Sequence, residues 1–454
     1  MKSPRKAVIA TVAIGAVLAA LTGCSPAAAP DGKITITVAS LIPGSSKDAF
    51  AAFYARVQQF EKAHKNITLK PVEYQWTGPT FASQLAGGTL PDVFNVPFTD
   101  SQSLLQAGQL ADITADVKKL PYASKFNQNL LQVASKDGKI YGIPYGPYGY
   151  GISYNRALFT KAGLDPNKPP TTWDEVRADA KIISDKLHIA GFMQFTSGNT
   201  GGWALTAETY SRGGRMETVS GGKTTVTTDN PQTIASLQYL HDLRWVDNSV
   251  GSNFLLDWSG MNQYFGAGQT AMYPSGSDVL TSLVQQNNVD PKDYGLTVLP
   301  TEGADSGILA GGNVATVNVK ASAEEKAAAV QWIDFYYMQK LTNQAQSVAD
   351  AKILVGAKQP VGVPQLPIFD QKTLDTSLGW IDQYINVPKA NVAPFQDGVF
   401  KLTIVPEPAR HTQELYAALD SVVQAVLTDK NADITALLQG VNKKVQALVD
   451  ADTY

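Results

Sequence analysis

The side chains best placed to meet a ligand are aromatic residues set among glycine, proline and short polar residues. Tyr141, Tyr145, Tyr148, Tyr150 and Tyr154 crowd one segment, YGIPYGPYGYGISY. Trp76, Trp203, Trp258 and Trp380 stand in Gly/Ser/Pro/Asp surroundings rather than on apolar helix faces. Trp203 follows Gly201-Gly202, and Trp258 lies between Asp257 and Ser259-Gly260. A single aromatic usually packs in a core, but rings interleaved with glycine on loops are less easily explained that way. A sugar has an apolar C–H face and a rim of hydroxyls. A flat ring with Asn, Asp, Gln and backbone groups nearby suits it, as an apolar pocket with a few well-placed polar groups.

Other chemistries find little support. One cysteine, Cys24, allows neither an intramolecular disulfide nor a Cys-based zinc site. His64, His188, His241 and His411 lie far apart with no paired spacing, so no metal and no cofactor is expected. Gly222-Lys223-Thr224 resembles the end of a phosphate-binding loop, but the glycine needed five residues earlier is Glu217. H-E-x-x-H, G-x-S-x-G and EF-hand patterns are absent. A glycosidase needs only two facing carboxylates, and most of the 40 Asp and Glu residues read as solvated charges or helix caps. The 40 acids against 37 Lys and Arg give a charge of −3, without the basic stripe of a nucleic-acid protein. With 44% hydrophobic and 17% charged residues the chain is globular, and 454 residues suggest two domains.

The N-terminus carries a targeting signal. Lys2, Arg5 and Lys6 precede an uncharged run, residues 7–21, too short for a comfortable membrane span. It ends in Leu21-Thr22-Gly23-Cys24, which resembles a bacterial lipobox, cut before the cysteine whose thiol takes a diacylglycerol. Residues 1–23 are thus expected to be a lipoprotein signal peptide, Cys24 the lipidation site and 24–33 a flexible tether. No later run approaches 18 apolar residues, which places the remainder outside the cytoplasmic membrane.

The elements that must position the aromatic residues alternate. Residues 34–40 read as a strand, 48–64 as an amphipathic helix, 68–74 as a strand, 81–86 as a short helix closed by Gly87-Gly88, and Pro91 onward as a strand. This βαβαβ order implies a mainly parallel sheet with helices on its faces. Thr172-Trp-Asp-Glu175 and Ser322-Ala-Glu-Glu325 are capping boxes that open helices. Residues 218–228 form a hairpin around Gly221-Gly222, and 413–427 and 434–449 are closing helices.

Several blocks in order carry a resemblance. They are Leu90-Pro-Asp-Val-Phe94, Tyr141-Gly-Ile-Pro-Tyr145, and Tyr154-Asn-Arg-Ala-Leu-Phe159 with Lys161-Ala-Gly-Leu164 and Pro170-Thr-Thr-Trp-Asp-Glu175. Phe265-Gly-Ala-Gly-Gln-Thr-Ala-Met272 with Gly276, and Gly311-Gly312 before a strand, followed by Ala327 to Tyr336, complete the set. Through them, residues 34–449 resemble the extracellular solute-binding proteins of ABC transporters, in the carbohydrate-binding family that includes maltose-binding protein. The resemblance implies an α/β fold of two lobes, each a mainly parallel sheet flanked by helices. The first lobe would comprise 34–145 and 305–355, the second 146–304 and 356–454. Three hinge segments would join them near 145–150, 300–309 and 355–363, where Pro and Gly are enriched.

It also implies ligand contacts. Asn95 and Asp100 would bond hydroxyls from the first lobe, Tyr145 would sit at the hinge, and Trp203 would offer a stacking face from the second lobe. Tyr273 and Ser275 follow Ala271-Met272, the Gly311 and Gly312 amides line the hinge side, and Arg410 lies in the last loop. Trp258 and Trp380 are added on context alone. After YGIPY this chain continues Gly-Pro-Tyr-Gly-Tyr, where some relatives carry a charged residue. The expected function is capture of a neutral mono- or oligosaccharide without chemistry. A lipid-anchored monomer on the outer face of the cell membrane would deliver it to the ABC permease transmembrane subunits. A charged solute, such as a sugar or polyol phosphate or a peptide, or a secreted glycoside-active enzyme, are the alternatives.

Overall fold

The computed structural model describes residues 33–452 apart from 42 and 46. The leader 1–23, Cys24 and the tether up to residue 32 lie outside the described residues. From residue 34 the alternation is present. The strand Ile34–Ala39 buries Ile36 and Val38, and the helix Lys47–Ala63 sets Phe53, Val57 and Phe60 into the same core. The strands Ile67–Val72 and Val93–Pro97 flank Ile34–Ala39 in parallel, as connections through a helix require. Both capping boxes form. The Thr172 hydroxyl accepts from the Glu175 N–H at 3.1 Å and the Ser322 hydroxyl from the Glu325 N–H at 3.2 Å. The hairpin Glu217–Ser220 with Lys223–Val226 turns at Gly221-Gly222.

The sheet continues from one lobe into the other. Its order is 67–72, 34–39, 93–97, 308–317, 142–155, 270–276, 190–192. The outer pairs are parallel, but the strands Ile308–Val317 and Gly142–Asn155 run antiparallel to each other and to their remaining partners on the path. Gly142–Asn155 is 14 residues long. Its first half pairs with Ile308–Val317 and its second half with Thr270–Gly276 and Tyr294–Val298. The chain therefore changes lobe within this strand, near Gly149–Tyr150, and again between Val298 and Ile308. Strand alternation sends Tyr148 and Tyr150 toward Trp203. A Cβ on Gly149 or Gly151 would instead meet Leu366 or Phe395 on the opposite face.

The third passage differs from expectation. The Asn127 N–H donates to the Ile368 carbonyl at 2.9 Å, and the Asp370 N–H to the Lys125 carbonyl at 2.8 Å. Phe369 is buried against the rings of Tyr122 and Phe126, each 5.0 Å away. The helix Gln371–Trp380 then packs on Gln339–Thr342 and Gln344–Gly356. Residues 356–380, expected in the second lobe, thus belong to the first, held there by Phe369. The crossing lies between Trp380 and the helix Lys389–Val399, which packs on Tyr294–Val298. The closing helices Thr412–Thr428 and Ile434–Ala451 cover Thr200–Ser211 and Pro231–Trp245 in the second lobe.

Candidate functional site

Trp203 lies in the helix Thr200–Ser211, whose approach to Thr412–Thr428 depends on glycine. A Cβ on Gly202 would stand 2.3 Å from the Tyr416 carbonyl oxygen. The Asp420 carboxylate fixes the start of this helix, accepting from the Asn199 N–H at 2.7 Å and the Gly202 N–H at 2.8 Å. So positioned, the Trp203 ring meets Tyr148 edge-on, 6.2 Å away at 82°, and Tyr150 at 4.5 Å and 80°.

Beside this corner stands Glu407, set between Pro406 and Pro408 after the short strand Ile404–Val405. It is 8% exposed. Thr99 and Asp100 from the first lobe face it, with Trp203 and Tyr416 from the second. Burial pushes its carboxyl up to about 7, with the charge of Asp100 acting in the same direction. Its Oε2 and the neighbouring Tyr416 hydroxyl lack a well-formed hydrogen bond, although Thr99, Tyr416 and Trp203 approach the carboxyl closely enough to lower its pKa in part. Asp100 opens the helix Phe98–Gln106 and accepts from Trp76 Nε1–H at 2.9 Å. Burial raises its pKa as well, against the Trp76 bond. Burial also raises the Tyr148 hydroxyl, helped by the charges of Glu407 and Asp278.

A second group adjoins on the first-lobe side. The helix beginning at Ala323 widens to a π-turn over Asp334–Met338, a local deformation often found at functional sites. It carries Tyr337, whose hydroxyl donates to Asn95 Oδ1 at 3.0 Å and whose ring lies 4.1 Å from that of Tyr145. Gly311 and Gly312 make room for the long strand opposite. A Cβ on Gly312, at φ 141°, would come within 2.9 Å of Pro147 Cα. Asn95, Asp100, Tyr145, Trp203, Gly311 and Gly312 therefore gather where the lobes meet.

The other named residues are placed differently. Tyr273 is fully buried in the second lobe, and its hydroxyl donates to Asn262 Oδ1 at 2.9 Å. Ser275, equally buried, lies 2.7 Å from the Ser153 hydroxyl. Both strand faces are covered there, so these groups bond within the second lobe rather than at the junction. Trp258 opens the helix Trp258–Gly266 and packs half-buried on the second lobe's core. Trp380 ends the helix Gln371–Trp380 and, with Tyr122 and Lys125, lines a separate surface cavity of about 320 Å³ on the first lobe. Arg410 turns to the chain end and pairs with Asp452 at 3.4 Å. Glu407, Tyr337 and Tyr416 are the additions that sequence reasoning missed. The one available signal was the acid between two prolines directly after an apolar pair.

The arrangement presents perpendicular rings and buried acceptors contributed by both lobes. It can stack on an apolar face and accept hydrogen bonds from a polar rim. Comparison with known proteins gives the same architecture. The family model described as bacterial extracellular solute-binding protein matches residues 43–340. A Streptomyces antibioticus relative, described as an uncharacterized lipoprotein in the oleD 5′ region, is 25% identical over 334 residues, covering 72% of this chain and 71% of its own. The structure of a cyclic alpha-maltosyl-1,6-maltose binding protein from Arthrobacter globiformis superposes with a TM-score of 0.68 at 21% identity, covering 93% of this chain and all of that one. UgpB from Mycobacterium tuberculosis, solved in complex with glycerophosphocholine, gives 0.68 at 16% identity over 92% and 98%. At those identities the likeness is one of fold, the two-lobe type II binding-protein fold.

Proposed function

Since the chain belongs to the bacterial extracellular solute-binding protein family, we propose that it captures a mono- or oligosaccharide at the lobe junction and delivers it to an ABC permease. The observation that carries this reading is the corner of Trp203 and Tyr148 beside acceptors from both lobes, Asp100 and Glu407. A solute touching both lobes favours the closed form through its differential affinity. Phosphate is disfavoured, because it would bring further negative charge to two buried acids. Cys24 would anchor the protein to the outer face of the cell membrane, concentrating it near the permease. Replacing Cys24 by alanine should then release the protein from the membrane fraction.

The direct test is thermal unfolding of the purified protein against a panel of saccharides, with sugar phosphates and short peptides beside them. A solute that binds only the folded state adds about 2.7 kcal/mol at a hundredfold excess over its Kd. A shift with a phosphate or peptide alone would sink the sugar assignment. Because Asp100 and Glu407 are two acids that face each other, a hydrolase remains the competing reading. Product accumulating on long incubation would establish it.

A further inference from the structure

The charge at the lobe junction is one-sided. Asp100 from the first lobe acts on Glu407, and the charge of Asp278 acts on Tyr148. The remaining groups that face Glu407 are a hydroxyl from the first lobe, Thr99, and rings from the second, Trp203 and Tyr416. Its charge also acts on Tyr148, Tyr150 and Tyr210, whose hydroxyls burial keeps neutral. Two arginines of the surrounding loops, Arg410 and Arg212, are paired with Asp452 and Glu302. Glu407 Oε2 is buried without a well-formed hydrogen bond, with Thr99, Tyr416 and Trp203 close to the carboxyl. Independently of the acids, the half-buried Trp203 and Tyr148 rings meet edge-on at 82°, and an aromatic face attracts a cation within about 6 Å of its centre.

We propose that the saccharide taken by this site carries a positively charged nitrogen, as an amino sugar does, and that Glu407, Asp100 and the Trp203–Tyr148 corner hold that nitrogen. The inference rests on the sugar reading and refines the wholly neutral ligand that the sequence suggests. A neutral hydroxyl could bond Oε2, but it brings no positive charge to a buried site that holds two acids. An ammonium supplies the missing donor and the opposite charge together.

The test uses matched sets on the full protein: glucose with glucosamine and N-acetylglucosamine, the galactose and mannose equivalents, and cellobiose with the glucosamine disaccharide and its N-acetylated form. Affinity is read by calorimetry or thermal shift at pH 7. At least one amine should bind about tenfold more tightly than both its hydroxyl parent and its N-acetyl derivative. In Glu407→Gln the amine-to-parent ratio should fall toward one. If that variant does not fold, the pH dependence of the unaltered protein decides: the ratio should shrink as the pH falls from 7 to 5 and the acids take up protons. Parents that bind as tightly as their amines, or a ratio unmoved by both the variant and pH, overturn the proposal and leave the sugar reading standing. No shift with any saccharide removes the sugar reading, and this inference with it.

Discussion

Tyr148 holds its place because residue 311 is glycine: a Cβ there would lie 2.1 Å from both Cζ and the hydroxyl of Tyr148. The contact joins the two central strands where the lobes meet, on the face that looks toward Trp203. Gly311→Ala should therefore displace the Tyr148 ring and open the corner. The expected cost is about 1–3 kcal/mol in urea unfolding, together with a loss of ligand affinity. Unchanged affinity would show that Tyr148 does not touch the solute.

Glu407 makes stability depend on pH. Its pKa in the folded protein is raised to about 7 from an ordinary 4.5, so the folded state holds the proton more tightly. Stability is then greatest below about pH 4.5 as far as this group is concerned. It declines as the pH rises and levels off above about 7, by on the order of 3 kcal/mol in all. Glu208, raised by burial to about 8, adds a decline of the same sign. Urea midpoints at pH 5 and 7.5 should differ less in Glu407→Gln than in the unaltered protein.

Thr172→Ala removes the capping hydroxyl from a helix far from the junction. A loss of about 1 kcal/mol is expected, with solute affinity unchanged. A change in affinity would show that this helix moves with the ligand.

Arg410 and Trp380 offer the converse test. Because Arg410 pairs with Asp452 and Trp380 lines a different cavity, Arg410→Met and Trp380→Ala should leave solute affinity within about twofold. Arg410→Met should cost no more than about 1 kcal/mol in stability, since Asp452 keeps His411 Nε2 at 3.1 Å as a partner.

What could be read from the sequence depended on the range of the forces involved. The strand Ile34–Ala39 and both capping boxes are local patterns, and they form where the residues announce them. The gathering of Asn95, Asp100, Tyr145 and Trp203 came through the family resemblance, since no local rule brings residues a hundred positions apart together. Tyr273 and Ser275 show the limit of that route. Their strand is covered on both faces, and burial of that kind is a tertiary property. Glu407 escaped because its significance lies in its burial and in the charge of Asp100 acting on it, which no spacing of residues records. The third crossing was misplaced because Pro and Gly mark turns, while the burial of Phe369 decides which lobe a segment joins.

The central position of Ile308–Val317 has a consequence for how the chain acquires its structure. In the first lobe this strand lies between Val93–Pro97 and the first half of Gly142–Asn155. A nascent chain ending before residue 308 exposes two unpaired strand edges around an empty middle, a template for pairing with other chains. Synthesis in order from the N-terminus thus gives no early folding advantage to the first lobe. Its sheet closes only after the second lobe's central strands, Thr270–Gly276 and Tyr294–Val298, have been made. Pairing across so many residues makes folding slow and exposes the intermediate to aggregation. Truncations in the middle of this protein should yield inclusion bodies rather than an isolated lobe.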